Sequence, residues 1–226
     1  MNIKAINFDF YGTLVDWLKI WKETSQIIID ENNLKIPSLD FALEWRKIQR
    51  QIIEEKEFVP FKACIKAALI QICHKYNIKN ENYHKFLFDR WKEVNPFPEV
   101  PFTLKKLKGK YNLAVCSNSS SDLFEACANK LPIKFDYVFI SDEIKATKPH
   151  SKIYQFVIKS LRLKPENILH IASSQMDVKG AIASNLKVCW INRFYEKRKP
   201  DIPEPNFEIH KLNEILKLLQ LKINAN

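Results

Sequence analysis

The sequence predicts an α/β fold in which a Rossmann-like, doubly wound parallel sheet is interrupted by an all-helical insert. A short apolar run at residues 3–8 is typical of a buried strand. Helical periodicity without a convincing strand pattern follows over roughly 75 residues. Beyond a Pro-rich stretch, short β-branched runs alternate with amphipathic helices, as they do in parallel sheets built from β-α-β units.

The predicted insert consists of four amphipathic helices, and the side chain of Ser38 is a candidate N-cap for the second. These helices are predicted at residues 17–30, from Ser38 onward, from Pro60 onward and at residues 81–94. The Pro-rich residues 95–101 predict a linker. We therefore expect residues 16–97 to form the insert and residues 1–15 and 98–226 to form the core domain.

The rest of the predicted core alternates strands and helices, and right-handed crossovers are expected between its parallel strands. The later strands are predicted at residues 111–116, 137–140, 168–172 and 187–191. The helices that follow them are predicted at residues 121–130, 151–161, 177–184 and 210–221. The basic segment 193–206 contains three prolines and predicts a surface loop.

The composition limits the classes of function that fit the chain. The formal net charge is +10 over 226 residues, but the lysines are spread along the chain and are not interleaved with aromatics. This pattern favours a solvated basic face over a nucleic-acid platform, and its field suits a small anionic substrate. No apolar run approaches the length of a membrane helix, and the chain begins directly with a strand pattern. From these two features we expect a cytoplasmic protein without a membrane partner. The five scattered cysteines predict reduced thiols.

Polar side chains stand where the predicted strands end, which is where open α/β sheets place their chemistry. Asp9 ends the first strand, and a carboxylate there could attack carbon or phosphorus to form an ester. Ser117 and Asn118 end the second strand, Lys148 follows the third, and Asp177 follows the fourth. Taken alone, the Asp, Ser and Asn residues could instead cap a turn or a helix, and a Lys-Pro pair is unremarkable among 36 basic residues.

Taken together, these stretches resemble the motifs of the haloacid dehalogenase superfamily. N-F-D-F-Y-G-T-L at residues 7–14 resembles motif I, and Tyr11 stands where phosphatases of the superfamily carry a second Asp. That variant resembles the L-2-haloacid dehalogenase branch. The other resembling stretches are Ser117-Asn118, Lys148-Pro149 with Tyr154, Ser173 to Ala181, and the W-R-x-x-Q of Trp45 to Gln49. Departures from the branch pattern are Ser119, Ser174, Met176 and Arg50, the last in place of an apolar pocket residue.

The resemblance implies a cap domain formed by the helical insert and a hydrolase that requires no metal or cofactor. The catalytic residues that it implies are Asp9, Lys148, Asp177 and Arg46. The substrate-binding residues that it implies are Tyr11, Thr13, Ser117, Asn118, Tyr154, Ser173 and Phe61. The implied substrate is a small L-2-haloalkanoic acid, converted to a 2-hydroxy acid and halide, and the branch is compatible with a homodimer.

Two alternatives remain open from the residues themselves. One is a magnesium-dependent phosphatase with an atypical site, and the other is a catalytically weak binding protein on the same scaffold. A phosphatase needs a general acid and a metal to offset the repulsion between carboxylate and phosphate. Tyr11 and Ser173 stand where the superfamily's phosphatases carry the carboxylates for these tasks, which favours carbon–halogen hydrolysis.

Overall fold

The computed structural model describes residues 2–56 and 58–220. Its strands are β1 (Ala5–Phe8), β2 (Val15–Asp16), β3 (Asn95–Pro96), β4 (Asn112–Ser117), β5 (Tyr137–Ile140), β6 (Ile168–Ala172), β7 (Lys187–Ile191) and β8 (Phe207–Ile209). Its helices are α1 (Leu18–Glu31), α2 (Ser38–Glu55), α3 (Phe61–Lys75), α4 (Tyr83–Asp89), α5 (Val100–Leu107), α6 (Ser121–Ala128), α7 (Ser141–Ile144), α8 (Ser151–Leu161), α9 (Gln175–Ala183) and α10 (Ile215–Leu218). Single 3₁₀ turns lie at Trp91–Glu93, Pro165–Asn167 and Leu212–Glu214.

The main sheet is parallel throughout, with strand order β5-β4-β1-β6-β7-β8. This confirms the α/β fold and the doubly wound parallel sheet. The chain enters at the centre, because β1 pairs with β4 on one side and with β6 on the other. The strand order therefore reverses beside β1, and the carboxyl end of that strand opens into the crevice where such sheets bind ligands.

Both faces of the sheet are covered, which explains why its strands are nearly continuous apolar runs. Ile6 and Phe8 of β1 belong to one buried cluster, whereas Ala5 on the opposite face belongs to the other. The first cluster includes α5, α6 and α10, and the second includes α8 and α9. The result is a three-layer arrangement with helices on each side of the sheet.

The helical insert comprises α1 to α4, between β2 and β3. Its own packing centre is aromatic: the rings of Trp21 on α1 and Trp45 on α2 lie 4.4 Å apart between centroids, and both are almost completely buried. The two chain segments that connect the insert to the sheet pair with each other, since β2 and β3 form an antiparallel ribbon with Val15 opposite Pro96. None of the helices in the described ranges is long and apolar enough to cross a bilayer.

Several elements differ from the sequence prediction. Ser38 is the first helical residue of α2 and not its cap, because Pro37 occupies the N-cap position and no side chain caps the helix. The fourth insert helix is shorter than expected, since α4 ends at Asp89 and a 3₁₀ turn follows. The closing helix is reduced to a 3₁₀ turn and the short α10, while the final predicted position, residue 221, lies outside the described residues.

Several short elements were not predicted from the sequence, among them the two strands β2 and β3 of the antiparallel ribbon. Helix α5 starts inside the predicted linker 95–101, with Pro101 in its first turn, where a proline needs no hydrogen bond. Helix α7 has only one turn. Strand β8 lies at the sheet edge, between the predicted loop 193–206 and the predicted closing helix, and three residues are too few to show a periodicity.

We predict that Gly180→Ala destabilises the protein by about 1–3 kcal/mol, the usual cost of overpacking. A Cβ at this position of α9 would lie 2.5 Å from the carbonyl oxygen of Pro149 and 2.8 Å from the ring of Tyr154. This cost exceeds the gain of up to about 1 kcal/mol in helix propensity. Urea unfolding measures the change, and Ala183→Gly at the exposed end of the same helix isolates the propensity effect. A Gly180→Ala variant as stable as the parent would contradict the close approach.

Candidate active site

Asp9 is the first residue beyond β1 and lies at the reversal point of the sheet. Its backbone N–H still donates to the carbonyl of Ile171 at 2.8 Å, so the carboxylate is held at a fixed height above the strand ends. The chain then turns sharply at Gly12, whose φ of +86° suits a residue without a side chain. A Cβ on Gly12 would lie 2.9 Å from the hydroxyl of Ser173. The absence of a side chain therefore allows the turn to pack closely against the residue that follows β6.

The ammonium group of Lys148 lies between two carboxylates. Its Nζ is 2.7 Å from Oδ1 of Asp9 and 2.6 Å from Oδ2 of Asp177, and all three side chains are largely buried. Burial alone would lower the pKa of Lys148, but the charges of Asp177 and Asp9 raise it above its usual value. Burial likewise would raise the pKa of Asp177, whereas Lys148 and His170 hold it well below its usual value. Lys148 and Asp177 are therefore both charged at neutral pH.

The backbone of Lys148 is fixed by the end of β4. The amide group of Asn118 donates to the carbonyl of Lys148 at 2.9 Å and accepts from its N–H at 2.9 Å. The peptide bond to Pro149 is cis, and Gly180 of α9 packs against the Pro149 carbonyl. Because Asn118 uses both ends of its amide in this way, its main effect in the structure is to place Lys148.

Asp177 accepts two further hydrogen bonds from buried side chains. Tyr154 on α8 donates to its Oδ1 at 2.6 Å, and Nε2 of His170 on β6 lies 2.9 Å from the same atom. On the other side of the imidazole ring, the side-chain amide nitrogen of Asn7 lies 2.9 Å from Nδ1 of His170. The amide donates there, so His170 carries its proton on Nε2 and donates to Asp177. A chain of hydrogen bonds thus runs from Asn7 to Asp177 beneath the sheet end.

Asp9 is supported on its second oxygen by two hydroxyl groups. Thr13 donates to Oδ2 at 2.9 Å, and the hydroxyl of Ser173 lies 3.5 Å from the same atom. Ser117 is completely buried at the end of β4, and within the described residues its hydroxyl has no hydrogen-bond partner. These three residues, like Tyr154, do not line the open cleft, so the structure places them behind the carboxylates.

Arg193 fixes the turn that carries Thr13. Its guanidinium donates to the carbonyls of Gly12 at 3.2 Å and of Thr13 at 2.7 Å, and to Glu99 at 2.7 Å. It also lies 3.7 Å above the ring centroid of Phe97. The sequence analysis assigned Arg193 to a surface loop, but its side chain is only 8% exposed. It connects the turn after β1 with the segment after β3.

A cleft of about 810 Å³, part of it open to solvent, separates the strand ends from the insert. One wall is aromatic: Tyr11 stacks on Phe61 with ring centroids 6.2 Å apart, and Trp91 meets both rings edge-on. The Tyr11 hydroxyl accepts from Trp91 at 2.9 Å and lies 3.2 Å from Ser119 Oγ. Burial raises the pKa of Tyr11 well above its usual value, so this hydroxyl remains neutral.

The opposite wall is formed by α1 and α2, and Arg46 is its main polar group. The guanidinium stacks on Trp17, 4.5 Å from the ring centroid, and donates to the amide oxygen of Gln49. Burial and the charge of Arg50 lower the pKa of Arg46 to about 9, which still leaves it a cation at neutral pH. Within the described residues, Arg46 Nε and Gln49 Nε2 have no hydrogen-bond partner. Both groups are therefore available to an acceptor in the cleft.

The structure brings together most of the residues singled out from the sequence. Those that line the cleft are Asp9, Tyr11, Arg46, Phe61, Asn118, Lys148 and Asp177. Cleft residues not assigned a role from sequence are Trp17, Trp21, Gln49, Arg50, Ile53, Glu54, Trp91, Pro149, Ser174 and Met176. His170 was also missed, although a histidine inside the otherwise apolar run of β6 is a usable signal, because a buried imidazole requires partners.

The fold and the site together define the class of the protein: an α/β protein with a doubly wound parallel sheet, a lysine held between two aspartates at its strand ends, and a helical insert that faces them. The family model described as haloacid dehalogenase-like hydrolase matches residues 6–191. The chain therefore belongs to this family and, within it, to the L-2-haloacid dehalogenase-like branch.

Individual relatives agree with this placement along nearly the whole chain. The protein is 26% identical over 226 residues to (S)-2-haloacid dehalogenase 2 of Pseudomonas sp. (strain CBS-3), an alignment that covers 96% of each protein. It is 28% identical over 203 residues to haloacetate dehalogenase H-2 of Moraxella sp. (strain B), covering 85% of this chain and 87% of the relative. Its fold is similar to that of L-2-haloacid dehalogenase from Xanthobacter autotrophicus with chloropropionic acid covalently bound. The TM-score is 0.83 at 20% identity, and the match covers 96% of this chain and 98% of that one.

We predict that Lys148→Met destabilises the protein by about 3–5 kcal/mol at pH 8, because it leaves two buried carboxylates without their cation. Asp177 has a lowered pKa in the folded protein, so its stabilising contribution is present above the unfolded pKa of about 4 and is lost as the pH falls. Without Lys148 the pKa of Asp177 should rise. As the pH falls from about 8 to about 5, the free energy of unfolding of the variant should therefore approach that of the parent.

Urea unfolding at the two pH values measures this difference. Lys62→Met is the matched control, since Lys62 pairs with Asp122 in an exposed position worth about 0–1 kcal/mol. An equal loss of stability at both pH values would show that Lys148 does not neutralise the carboxylates.

Proposed function

We propose that the protein is a hydrolytic dehalogenase of small L-2-haloalkanoic acids, with residues 1–15 and 98–226 as its core and residues 16–97 as its cap. One observation carries this proposal: a lysine-bound carboxylate, Asp9, faces the guanidinium of Arg46 across an aromatic cleft, and within the described residues that guanidinium forms no ion pair. A short haloacid matches this arrangement, because its carboxylate can bind the arginine while its carbon–halogen bond faces the aspartate. The names of the relatives support the same reaction.

In the proposed first step, an oxygen of Asp9 attacks C2 of the substrate from the side opposite the halogen. A C–O bond forms, the carbon–halogen bond breaks, and its electron pair leaves with the halide. Halide needs no proton on leaving carbon, so no general acid is required. Arg46 positions the substrate carboxylate through its fork, and desolvation in the cleft strengthens that contact. The neutral rings of Tyr11, Phe61 and Trp91 surround the departing halogen with apolar surface.

In the proposed second step, water attacks the carboxyl carbon of the Asp9 ester. Donors that already surround this group, Lys148 and Thr13, are placed to stabilise the negative charge that develops on its oxygen. Asp177 orients Lys148 and the attacking water. Cleavage of the bond between the carbonyl carbon and the ester oxygen returns the Asp9 carboxylate and releases a 2-hydroxy acid, while the remaining proton goes to solvent.

The alternative reaction, magnesium-dependent phosphate transfer, has less support from the site. The neutral phenol of Tyr11 stands where a second carboxylate would be needed, and Ser173 stands where another would be. Within the described residues, no three His, Cys, Asp or Glu side chains converge on a point that could hold a metal ion. Lys148 already neutralises Asp9 and Asp177.

We infer a cytoplasmic location from the cysteines. All five are buried and free, as expected in a reducing compartment. The proposed substrate is a small anion, and the reaction needs neither a nucleic-acid partner nor a membrane surface.

We predict that Asp9→Asn lowers halide release from (S)-2-chloropropionate by on the order of 10⁴-fold or more, because the amide cannot act as the nucleophile. Asp30→Asn, at an exposed position on α1, should leave the rate unchanged. A single turnover of the parent enzyme in heavy-oxygen water should place the label in the peptide that contains Asp9. Halide release by Asp9→Asn at the parent rate would exclude the mechanism, and magnesium-dependent release of phosphate from an aryl phosphate, without halide release, would favour the phosphatase.

We predict that Arg46→Gln lowers kcat/KM for (S)-2-chloropropionate by about 10- to 100-fold, the value of one charge-assisted hydrogen bond pair. Lys47→Gln on the exposed side of the same helix is the control and should change kcat/KM little. Steady-state measurement of halide release tests both variants. Equal effects of the two substitutions would mean that Arg46 acts only through the general charge of the protein.

A further inference from the structure

Arg50 is a second cation in the cleft that the proposed reaction does not use. It lies four residues after Arg46 on α2 and lines the same cleft. A helix rises about 1.5 Å per residue, so the two positions are about 6 Å apart along the axis and face the same side. Arg50 forms no hydrogen bond or ion pair with any residue in the described ranges.

The proximity of the two guanidinium groups is unfavourable without a ligand. After burial, the charge of Arg50 is the next largest cause that lowers the pKa of Arg46, which shows that each cation acts on the other. Of the carboxylates that line the cleft, Asp9 and Asp177 are already bound by Lys148, and within the described residues Glu54 forms no ion pair with either arginine. A ligand with one negative group at Arg46 and another at Arg50 would relieve this repulsion.

Hydrogen-bond donors in this region also lack acceptors. Gln49, one turn from Ile53 on the same helix face, is fully buried, and its amide nitrogen has no acceptor among the described residues. The Nε of Arg46 is in the same situation. One carboxylate has about four acceptor positions and can satisfy both of these donors, but it leaves Arg50, one turn further along the helix, without an anion.

We propose that the substrate carries two anionic groups, one bound by Arg46 and the other by Arg50, and is therefore a 2-halogenated dicarboxylic acid. This inference rests on the proposed dehalogenation. The carboxylate next to the halogen binds Arg46 and Gln49, as the reaction geometry requires. The distal carboxylate binds Arg50 near the mouth of the cleft.

Glu54 limits the length of the diacid. It lies one further turn along α2, is exposed and also lines the cleft. A longer diacid would bring its distal carboxylate towards Glu54 and away from Arg50, where like charges repel. The cleft should therefore prefer chlorosuccinate or chloroglutarate to longer homologues.

The kinetic test compares halide release from (S)-2-chlorosuccinate and (S)-2-chloropropionate. We expect the parent enzyme to favour chlorosuccinate in kcat/KM, and Arg50→Leu to reduce the ratio of the two values by about 10- to 100-fold, as for loss of a charge-assisted hydrogen bond. Arg50→Lys, which keeps the charge without the fork, should retain part of the preference. Lys47→Leu on the exposed side of α2 is the matched control and should leave the ratio unchanged. A ratio that Arg50→Leu does not alter would overturn the proposal.

A binding measurement separates this inference from the proposed function. Asp9→Asn protein is titrated calorimetrically with succinate and with propionate, and the same titrations are repeated with Arg50→Leu added. Tighter binding of succinate by about 10-fold or more, lost on adding Arg50→Leu, would support the second anion site even if no haloacid is turned over. Equal affinity for the two acids would overturn it even if chloropropionate is dehalogenated efficiently.

Discussion

The contact of one buried ammonium group with two buried carboxylates is the constraint on which the rest of the structure depends. A carboxylate with no cation in this position would be strongly disfavoured, because burial removes its solvation without replacing it. Lys148 must therefore reach Asp9 and Asp177 within hydrogen-bonding distance. The hydrogen bonds from the amide of Asn118 and the close packing of Gly180 against Pro149 both fix the backbone that carries Lys148, so that its ammonium group reaches the two carboxylates.

Among the described residues, the helical insert holds its cation, Arg46, without a carboxylate in contact, unlike the ion-paired cluster of the core. The core cluster holds its charges in contact with one another, whereas Arg46 is held by aromatic rings and a neutral amide. A cation kept in this way retains its attraction for an external anion, because no carboxylate in the described part of the chain forms an ion pair with it. The two sides of the cleft thus divide the proposed reaction, with covalent chemistry at the strand ends and recognition of the substrate at the helices.

The main sheet and the three charged core residues could be predicted because they depend on local patterns. Asp9 directly follows a predicted strand, Lys148 and Asp177 lie in the segments that follow two others, and the ends of parallel strands meet at one edge of a sheet. The sequence could not indicate whether Thr13 or Tyr154 faces the substrate or a carboxylate, because that depends on side-chain direction within a turn or on a helix. Both donate to the carboxylates from behind. The role of Arg193 could not be predicted for a related reason. A basic, proline-containing segment predicts exposed side chains, but Arg193 donates to backbone carbonyls that are far away in the sequence.

The position of Arg46, Gln49, Arg50 and Ile53 on one face of α2 has a consequence for how this protein could diversify. None of these side chains holds Asp9, Lys148 or Asp177 in place, since those three are tied to the sheet and to each other. Substitutions on that single helical face can therefore change which acids are admitted while the reacting groups keep their geometry. Selection for a new compound would act on one surface of one helix, and the inherited chemistry would remain intact.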